Sequence, residues 1–508
     1  MKRIFLSLAA AALCSAAQLR AEEKQPANQN AGDSVRMYRL QEVEVTATRA
    51  TPTTPVAYSD IRREEIARNS YGTDIPTLLA LTPSMIATNE TGIGIGGTAV
   101  RLRGPDATRL NVTINGVSMN NPDSHSMYWY DTPDLVSAVG SIQVQRGAGI
   151  STNGTGAFGG AVNMSTDALQ TEFGGDASLS YGSYNTNKQA VHISSGLMGG
   201  HWTLDARLTH IGSEGYIDRG ATDLKSYMFQ AGYYNGSTML KLISFGGKAK
   251  TGLTYTGATK EEMRLNGRRF HTEGMYYTSN GPHSYYYMKD GERQRATVDY
   301  YDDQTDNYLQ MNYQLLLNHT FSAAWNLNAA LHYTKGDGYY QEYKEDRSLK
   351  EYRLHPFMYD GKEVEKSDLI RQKKMDNHFG GGVFSVNYRN EKLDASLGGA
   401  LNYYDGWHFG RVIWVKNYIG ELLPDHEYYR NKAKKTDGNL YLKANYNLVA
   451  GLNAYADLQY RYINYKIHGD NDKYDYNTDG LQKLAVNDHF NFFNPKAGLN
   501  WDIDSNNR

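Results

Sequence analysis

The residues best equipped for chemistry are few, and most lack the surroundings their chemistry needs. Gly154-Thr155-Gly156-Ala157-Phe158-Gly159 fits the dinucleotide fingerprint. That motif needs a strand before it and a helix after it, so that a pyrophosphate can sit on the helix N-terminus. Here Ala161-Val162-Asn163-Met164-Ser165 follows and alternates like a strand, so nucleotide binding is not expected. Asp475, Asn477 and Asp479 open a run that matches the front half of a calcium loop. Its twelfth position is Val486, where a bidentate Glu is required, so a plain Asp/Asn-rich turn is the better reading and no metal site is assigned. There is no H-E-x-x-H, no G-x-S-x-G and no Walker loop, since Gly247-Lys248 continues to Ala249. No catalytic residue, no enzyme activity and no cofactor is expected. The 14 His are mostly scattered singly, with one exception. His125 lies in the run from Asn120 to Tyr130, where His125, Tyr128, Trp129 and Tyr130 combine rigid aromatic area with polar tips. That combination suits contacts to a ligand. Packing of the same rings against a neighbouring wall is the competing reading.

The chain that must position these groups is 508 residues long, enough for more than one domain. A formal net charge of -2 and a pI of about 6.7 leave no basic excess for a nucleic-acid partner. A mean hydropathy of -0.63 excludes a bundle of membrane helices. It does not exclude a membrane barrel, whose strands need apolar residues only at alternate positions. Tyr supplies 41 residues against 14 Phe and 6 Trp, an excess that suits a membrane-water boundary or a wet binding surface.

Met1-Lys2-Arg3 followed by an apolar run to Ala17 reads as a cleaved export signal over residues 1–21. The single Cys, Cys14, lies inside it, so the mature chain is expected to have no disulfide. Residues 22–50 are expected to be a flexible segment, polar at first. Within it Val43, Val45 and Ala47 alternate with Glu44 and Thr46 like a short strand that could join the edge of another sheet.

Three motifs in order then carry a family resemblance: Asp74-Ile75-Pro76-Thr77-Leu78-Leu79 through Thr82-Pro83-Ser84; Val100-Arg101-Leu102-Arg103-Gly104 followed by Leu110 to Val117; and Ser141 to Gly147 through Gly154 to Asn163. This segment resembles the plug domain of TonB-dependent outer-membrane receptors. Asn115 stands where the family usually has an acid, which keeps the Asn-Gly turn chemistry. Physics alone reads the same stretch as a small mixed domain, with one helical run before strands at Val100–Leu102, Leu110–Ile114 and Ile142–Val144.

The resemblance implies a mixed α/β plug domain, residues 51–168, inside a transmembrane antiparallel β-barrel that begins near residue 174 and runs to 508. It implies that residues 43–49 are the TonB box, taken up as an added strand by TonB with its inner-membrane energising complex. It implies that Arg101, Arg103, Arg109 and Arg146 pair with acidic groups on the enclosing wall, and that His125, Tyr128, Trp129 and Tyr130 face outward beneath the substrate cavity. The function implied is energised uptake, across a Gram-negative outer membrane and in contact with its lipid, of a ferric siderophore or related iron chelate. Haem, cobalamin and glycan remain open as ligand classes. A non-transporting surface adhesin and a passive porin are readings of another kind.

Beyond Gly174 the residues themselves describe a large antiparallel sheet. Asp176–Tyr184, Trp202–Leu208, Tyr308–Leu316, Asn326–Tyr333 and Leu440–Tyr446 alternate at period two. Short turns near Gly199-Gly200, Asn235-Gly236, Ser322–Ala324, Asn390-Glu391 and Ala450-Gly451 separate long polar segments at 250–306, 336–373, 410–434 and 468–488. Short turns on one rim and long loops on the other are the pattern of an outer-membrane barrel. About a dozen strands are expected, against about 22 in plugged transporter barrels, so the chain is expected to continue beyond Arg508.

Overall fold

The structure, a computed structural model, describes residues 48–52, 54–151, 158–423, 426–449 and 451–501. Residues 43–47 of the expected box therefore lie outside the described residues.

The first unit contains β1 (Tyr58–Arg62), α1 (Arg63–Asn69), α2 (Ile75–Leu79), β2 (Met85–Asn89), β3 (Thr98–Leu102), β4 (Leu110–Ile114), β5 (Val117–Ser118), β6 (Val139–Arg146) and β7 (Gly160–Thr166). Five of these strands form a sheet in the order β1-β6-β7-β4-β5, with β4 and β7 parallel, while β2 and β3 pair separately. α2 starts with Pro at the beginning of its first turn, where no backbone donor is lost, and buries Ile75, Pro76, Leu78 and Leu79. Asn115 (φ 54°) and Gly116 (φ 77°) supply the two left-handed residues that a tight β4–β5 turn requires. The core is made by Val112, Ile114, Ile142, Val144, Val162 and Met164, all essentially inaccessible. Each such side chain stabilises the unit by about 1.5–3 kcal/mol. A strand, β7, follows the glycine-rich run at 154–159 where the fingerprint needs a helix, and residues 154–157 themselves lie outside the described residues.

The remainder is one twelve-stranded antiparallel sheet in chain order: β8 (Phe173–Gly182), β9 (Thr186–Ser195), β10 (Trp202–Ser213), β11 (Thr222–Tyr234), β12 (Thr238–Gly252), β16 (Thr305–Thr320), β17 (Trp325–Ser348), β20 (Lys366–Arg389), β21 (Leu393–Val415), β22 (Glu427–Val449), β23 (Leu452–Asp475) and β24 (Gly480–Trp501). Between β12 and β16 lie α3 (Lys260–Asn266) and a small sheet of β13 (Met275–Tyr277), β14 (His283–Lys289) and β15 (Glu292–Tyr300). A short hairpin of β18 (Phe357–Tyr359) and β19 (Lys362–Val364) separates β17 from β20. No helix among the described residues is long and apolar enough to cross a membrane.

All five expected short turns fall between consecutive sheet strands at one rim, with Ala450 of the fifth outside the described residues. The opposite rim differs from the sequence reading in one respect: β17, β20 and β23 have 24 residues each, whereas about 9–11 suffice to cross a bilayer. These strands are therefore more than twice as long as a crossing needs. The segment at 468–488 is a hairpin closed by a tight turn between Asp475 and Gly480, rather than a loop. Where both faces of a strand meet water, the apolar alternation fades although the backbone ladder persists, and period-two patterning loses the strand. Register shifts at Lys344/Arg347, Ile370/Arg371, Gly410/Arg411 and Asp470/Tyr474 all fall in the halves away from the short turns, where bulges re-aim side chains.

The outer face carries Leu331, Leu401 and Leu440, which are 63%, 63% and 54% exposed, while the inner face contributes Ala330, Val383 and Ala400 to the core of the first unit. Trp202 with Tyr233 and Trp325 with Tyr388 form aromatic pairs, 4.7 and 4.8 Å between rings, at the short-turn rim. Such a girdle belongs at a membrane-water boundary.

Candidate functional site at the plug and its wall

Three places matter: the entry of the chain into the first unit, the contact of that unit with the sheet, and the run from Asn120 to Tyr130. Thr48 to Ala50, which comprise the last two residues of the expected box and the residue after it, lie on the sheet formed by β6 and β7. Gln143 Nε2 donates to the Ala50 carbonyl (3.0 Å), while its Oε1 accepts from the Ala50 amide (2.7 Å). Gln145 Nε2 and Asn163 Nδ2 both donate to the Thr48 carbonyl at 2.9 and 3.0 Å. Arg49 donates to Ser141 Oγ and Ser165 Oγ at 2.8 and 3.0 Å. Gln143, Gln145 and Asn163 are at most 2% exposed, so these amides are a dry docking site for the chain. The sequence reading missed it. The signal was polar residues at alternate positions of β6, which normally mark a solvated face.

The expected arginine pairing is replaced by another arrangement. Arg101, Arg103 and Arg109 are exposed, and among the described residues none forms an ion pair with the wall. Arg146 turns inward to the Pro83 carbonyl (3.1 Å) and Ser59. Two ion pairs of the opposite polarity join the units, each with its acid on the inner unit and its cation on the wall. Asp134 Oδ1 accepts from Lys188 Nζ of β9 at 2.5 Å and from Ser137 at 2.7 Å, and its Oδ2 accepts from Thr209 of β10 at 2.7 Å. Asp123 pairs with His408 of β21 (3.2 Å), and Lys435 of β22 donates to the Pro122 carbonyl (3.2 Å). Asn115 donates to Gln314 of β16 (2.9 Å), and the Ser151 amide donates to buried Asp457 of β23 (2.7 Å). These contacts reach strands across most of the sheet, so the inner unit is held from several sides.

The aromatic run is divided. Trp129 is 3% exposed and belongs to the main core, with no acceptor for its indole N–H among the described residues. Tyr130 packs toward Ile211 and Leu224 of the wall and donates to Asp306 (3.2 Å). His125 meets the Tyr465 hydroxyl at 2.7 Å, and burial, with the charges of Lys435 and Arg461, lowers its pKa. Tyr128, 37% exposed, is the ring of the four that presents most open surface. Burial also raises Asp131 well above the usual carboxylate range and pushes Asp74 up to about 7, against hydrogen bonds from Thr98 and Gly96. In the tyrosine-rich segment of β13 and β14, Tyr285 stacks on Phe270 and Tyr287, and Tyr276 lies 4.7 Å from Tyr343 of β17.

At the tip of the last hairpin Asp479 accepts from Lys350 Nζ (2.9 Å) and Tyr474 (2.7 Å), and Asp475 caps the Asn477 amide (2.9 Å). Asp475, Asn477 and Asp479 thus close a turn, and among the described residues no three His, Cys, Asp or Glu side chains converge as a metal site.

Residues 50–161 match the family described as the TonB-dependent Receptor Plug Domain. No curated protein matches the chain in sequence. Among solved structures, the open form of the ferric-catecholate import receptor Fiu from E. coli K12 aligns with a TM-score of 0.61 at 11% identity, covering 89% of this chain and 68% of that one. The copper transporter OprC aligns at 0.62 and 14% identity over 90% and 64%, and the ferric citrate transporter FecA, unliganded, at 0.61 and 14% over 91% and 62%. The chain thus spans about two-thirds of the length of these three.

Proposed function

We propose that this chain, which carries a TonB-dependent receptor plug domain within the barrel fold of those receptors, takes up a scarce ligand across the outer membrane using energy delivered by TonB. The observation that carries the reading is the docking of Thr48–Ala50 on buried amides of the plug sheet. A pull on residues 43–47 is then transmitted straight to β6 and β7, which lie at the centre of the plug. In this reading residues 51–168 are the plug, the wall follows from about 174, and the tethered segment faces TonB in the periplasm.

The ligand class we favour is a ferric siderophore or related iron chelate. Above the plug, Tyr255, just past the end of β12, is hydrogen-bonded to Glu342 of β17 (3.2 Å), and Arg371 of β20 bridges Glu342 (3.0 Å) and the hydroxyl of Tyr352 in the turn after β17 (3.2 Å). Tyr340 stands beside Lys373, 5.8 Å from ring to ammonium. Aromatic faces combined with fixed cations suit an anionic, ring-bearing chelate. The names of two of the three structural neighbours, a ferric-catecholate and a ferric citrate receptor, agree with that class.

The test is growth of iron-starved cells that lack other iron receptors and express the full-length protein, supplied with one ligand at a time. Rescue by a ferric catecholate or ferric citrate, and no response to haem, is expected. Rescue by haem alone, or a cobalamin- or glycan-dependent phenotype without iron rescue, would reassign the ligand. Surface attachment with no uptake of any of them would make the protein an adhesin.

A further inference from the structure

We infer that the plug and the wall hold between them one small alkali cation, of the sodium or potassium kind, bound by Asp131 of the plug and by the hydroxyl oxygens of Tyr308 and Tyr404 of the wall. The inference needs the plug inside the sheet, but neither the ligand nor the energy source proposed above.

Asp131 is the anomaly from which it starts. The residue is 9% exposed, yet among the described residues its carboxylate accepts no hydrogen bond and meets no cation, and the one charged group acting on it is a second acid, Asp306 of β16. The inward cations of this part of the wall are engaged elsewhere, Lys435 with the Pro122 carbonyl and Asp437, and Arg371 with Glu342. An ionised carboxylate does not stay dry without a partner, so Asp131 carries a proton or holds a counter-ion.

The surroundings favour the counter-ion. Asp131 lines a cavity of about 30 Å³ that is closed on the wall side by Tyr308, Gln310, Asn377 and Tyr404. That is room for an ion or a water. Tyr404 is 2% exposed, and its hydroxyl has no partner among the described residues. The Tyr308 hydroxyl accepts from Asn377 Nδ2 (3.1 Å). A proton on Asp131 leaves the Tyr404 hydroxyl as it is, whereas a cation in the cavity is coordinated by the carboxylate and the phenol oxygens together. Hard oxygen donors suit a hard cation, and one carboxylate among neutral oxygens balances a single positive charge. Among the described residues no three acids converge as a divalent site would favour.

The wall is shaped to present these oxygens. Gln310, Gly336, Asn377 and Gly406 stand in one cross-strand row over β16, β17, β20 and β21. A Cβ on Gly336 would collide with the Tyr308 hydroxyl and Asn377 Oδ1, and a Cβ on Gly406 with the Tyr404 hydroxyl. The two glycines therefore let both phenol oxygens lie down beside Asn377, the kind of close approach that glycine within a strand permits.

Full-length protein in non-ionic detergent, heated in sodium, potassium or N-methylglucamine chloride at equal ionic strength and pH, tests the assignment, with protease cleavage inside the plug followed in parallel. Wild type is expected to melt about 2 °C or more higher in sodium or potassium than in the organic cation, and to be cleaved more slowly, because a ligand that binds only the folded form stabilises it. Asp131→Asn and Tyr404→Phe should each lose that difference, while Asp167→Asn, which removes a plug acid paired with Arg63, keeps it. Tyr404→Phe removes only an unpartnered hydroxyl, so a purely structural role predicts an unaltered cation response. Heat-modifiable migration verifies that each barrel is folded, and Tyr404→Phe alone serves if Asp131→Asn is not. Equal stability of wild type in the three salts, a wild-type cation response in Tyr404→Phe, or stabilisation by calcium alone would each overturn the assignment. Stability that rises as pH falls, without dependence on the cation, would show that Asp131 carries a proton instead.

Discussion

Replacing Asp134 with Ala should lower the stability of the plug-wall assembly by about 3–5 kcal/mol, the usual cost of leaving one partner of a buried ion pair alone. Asp134 is the junction at which the plug meets β9 and β10. Its side chain is 2% exposed and that of Lys188 is 14% exposed, so Lys188 would keep a nearly dry ammonium with only Ser137 within 3.0 Å. Thr209 would lose its acceptor as well. The control is Asp134→Ala/Lys188→Met. Removing both charges restores most of the stability, because an apolar pair of similar volume is about as good as a buried ion pair. Thermal unfolding and protease cleavage within the plug measure both variants. A single variant as stable as wild type would show that the plug is held elsewhere.

The second large effect concerns Trp129. Trp129→Ala should cost about 3–5 kcal/mol through the cavity it leaves, and Trp129→Phe less than about 1.5 kcal/mol, since the indole N–H makes no hydrogen bond among the described residues. Tyr128→Ala, by contrast, should leave stability nearly unchanged and weaken ligand binding. The measurements are melting temperature and equilibrium binding of the same purified variants. Weakened binding with unaltered stability in Trp129→Ala would return that ring to the ligand surface.

The contrast between Trp129 and Tyr128 shows what was legible in the sequence. Strand alternation, the tight turns and the Asn115-Gly116 turn are local properties, and the structure has them where the residues place them. The run from Asn120 to Tyr130 is recognisable as special, but which ring points into the core depends on a 3₁₀ turn at Trp129–Asp131 and on the wall, neither of which has a local signature. The arginines show the same limit. Their number suggested pairing, yet a sequence does not say which side of an interface supplies which charge, and Lys188, Lys435 and His408 of the wall take that role. Gln143, Gln145 and Asn163 were hidden because an alternating polar stripe looks the same whether water or the incoming chain satisfies it. Arg49, the last residue of the expected box region, is read differently once Ser141 and Ser165 are seen beneath it: it anchors the segment to the plug rather than offering it to a partner.

The central claim is that force on residues 43–47 passes through the docked Thr48–Ala50 segment to the plug. Its most direct test is Val45→Pro, which removes a backbone donor and resists pairing with another strand edge, measured as accumulation of labelled ferric chelate by whole cells alongside chelate bound at the cell surface. Uptake reduced to the level of cells without TonB, with surface binding unchanged, is the predicted result. Undiminished uptake by Val45→Pro would contradict it.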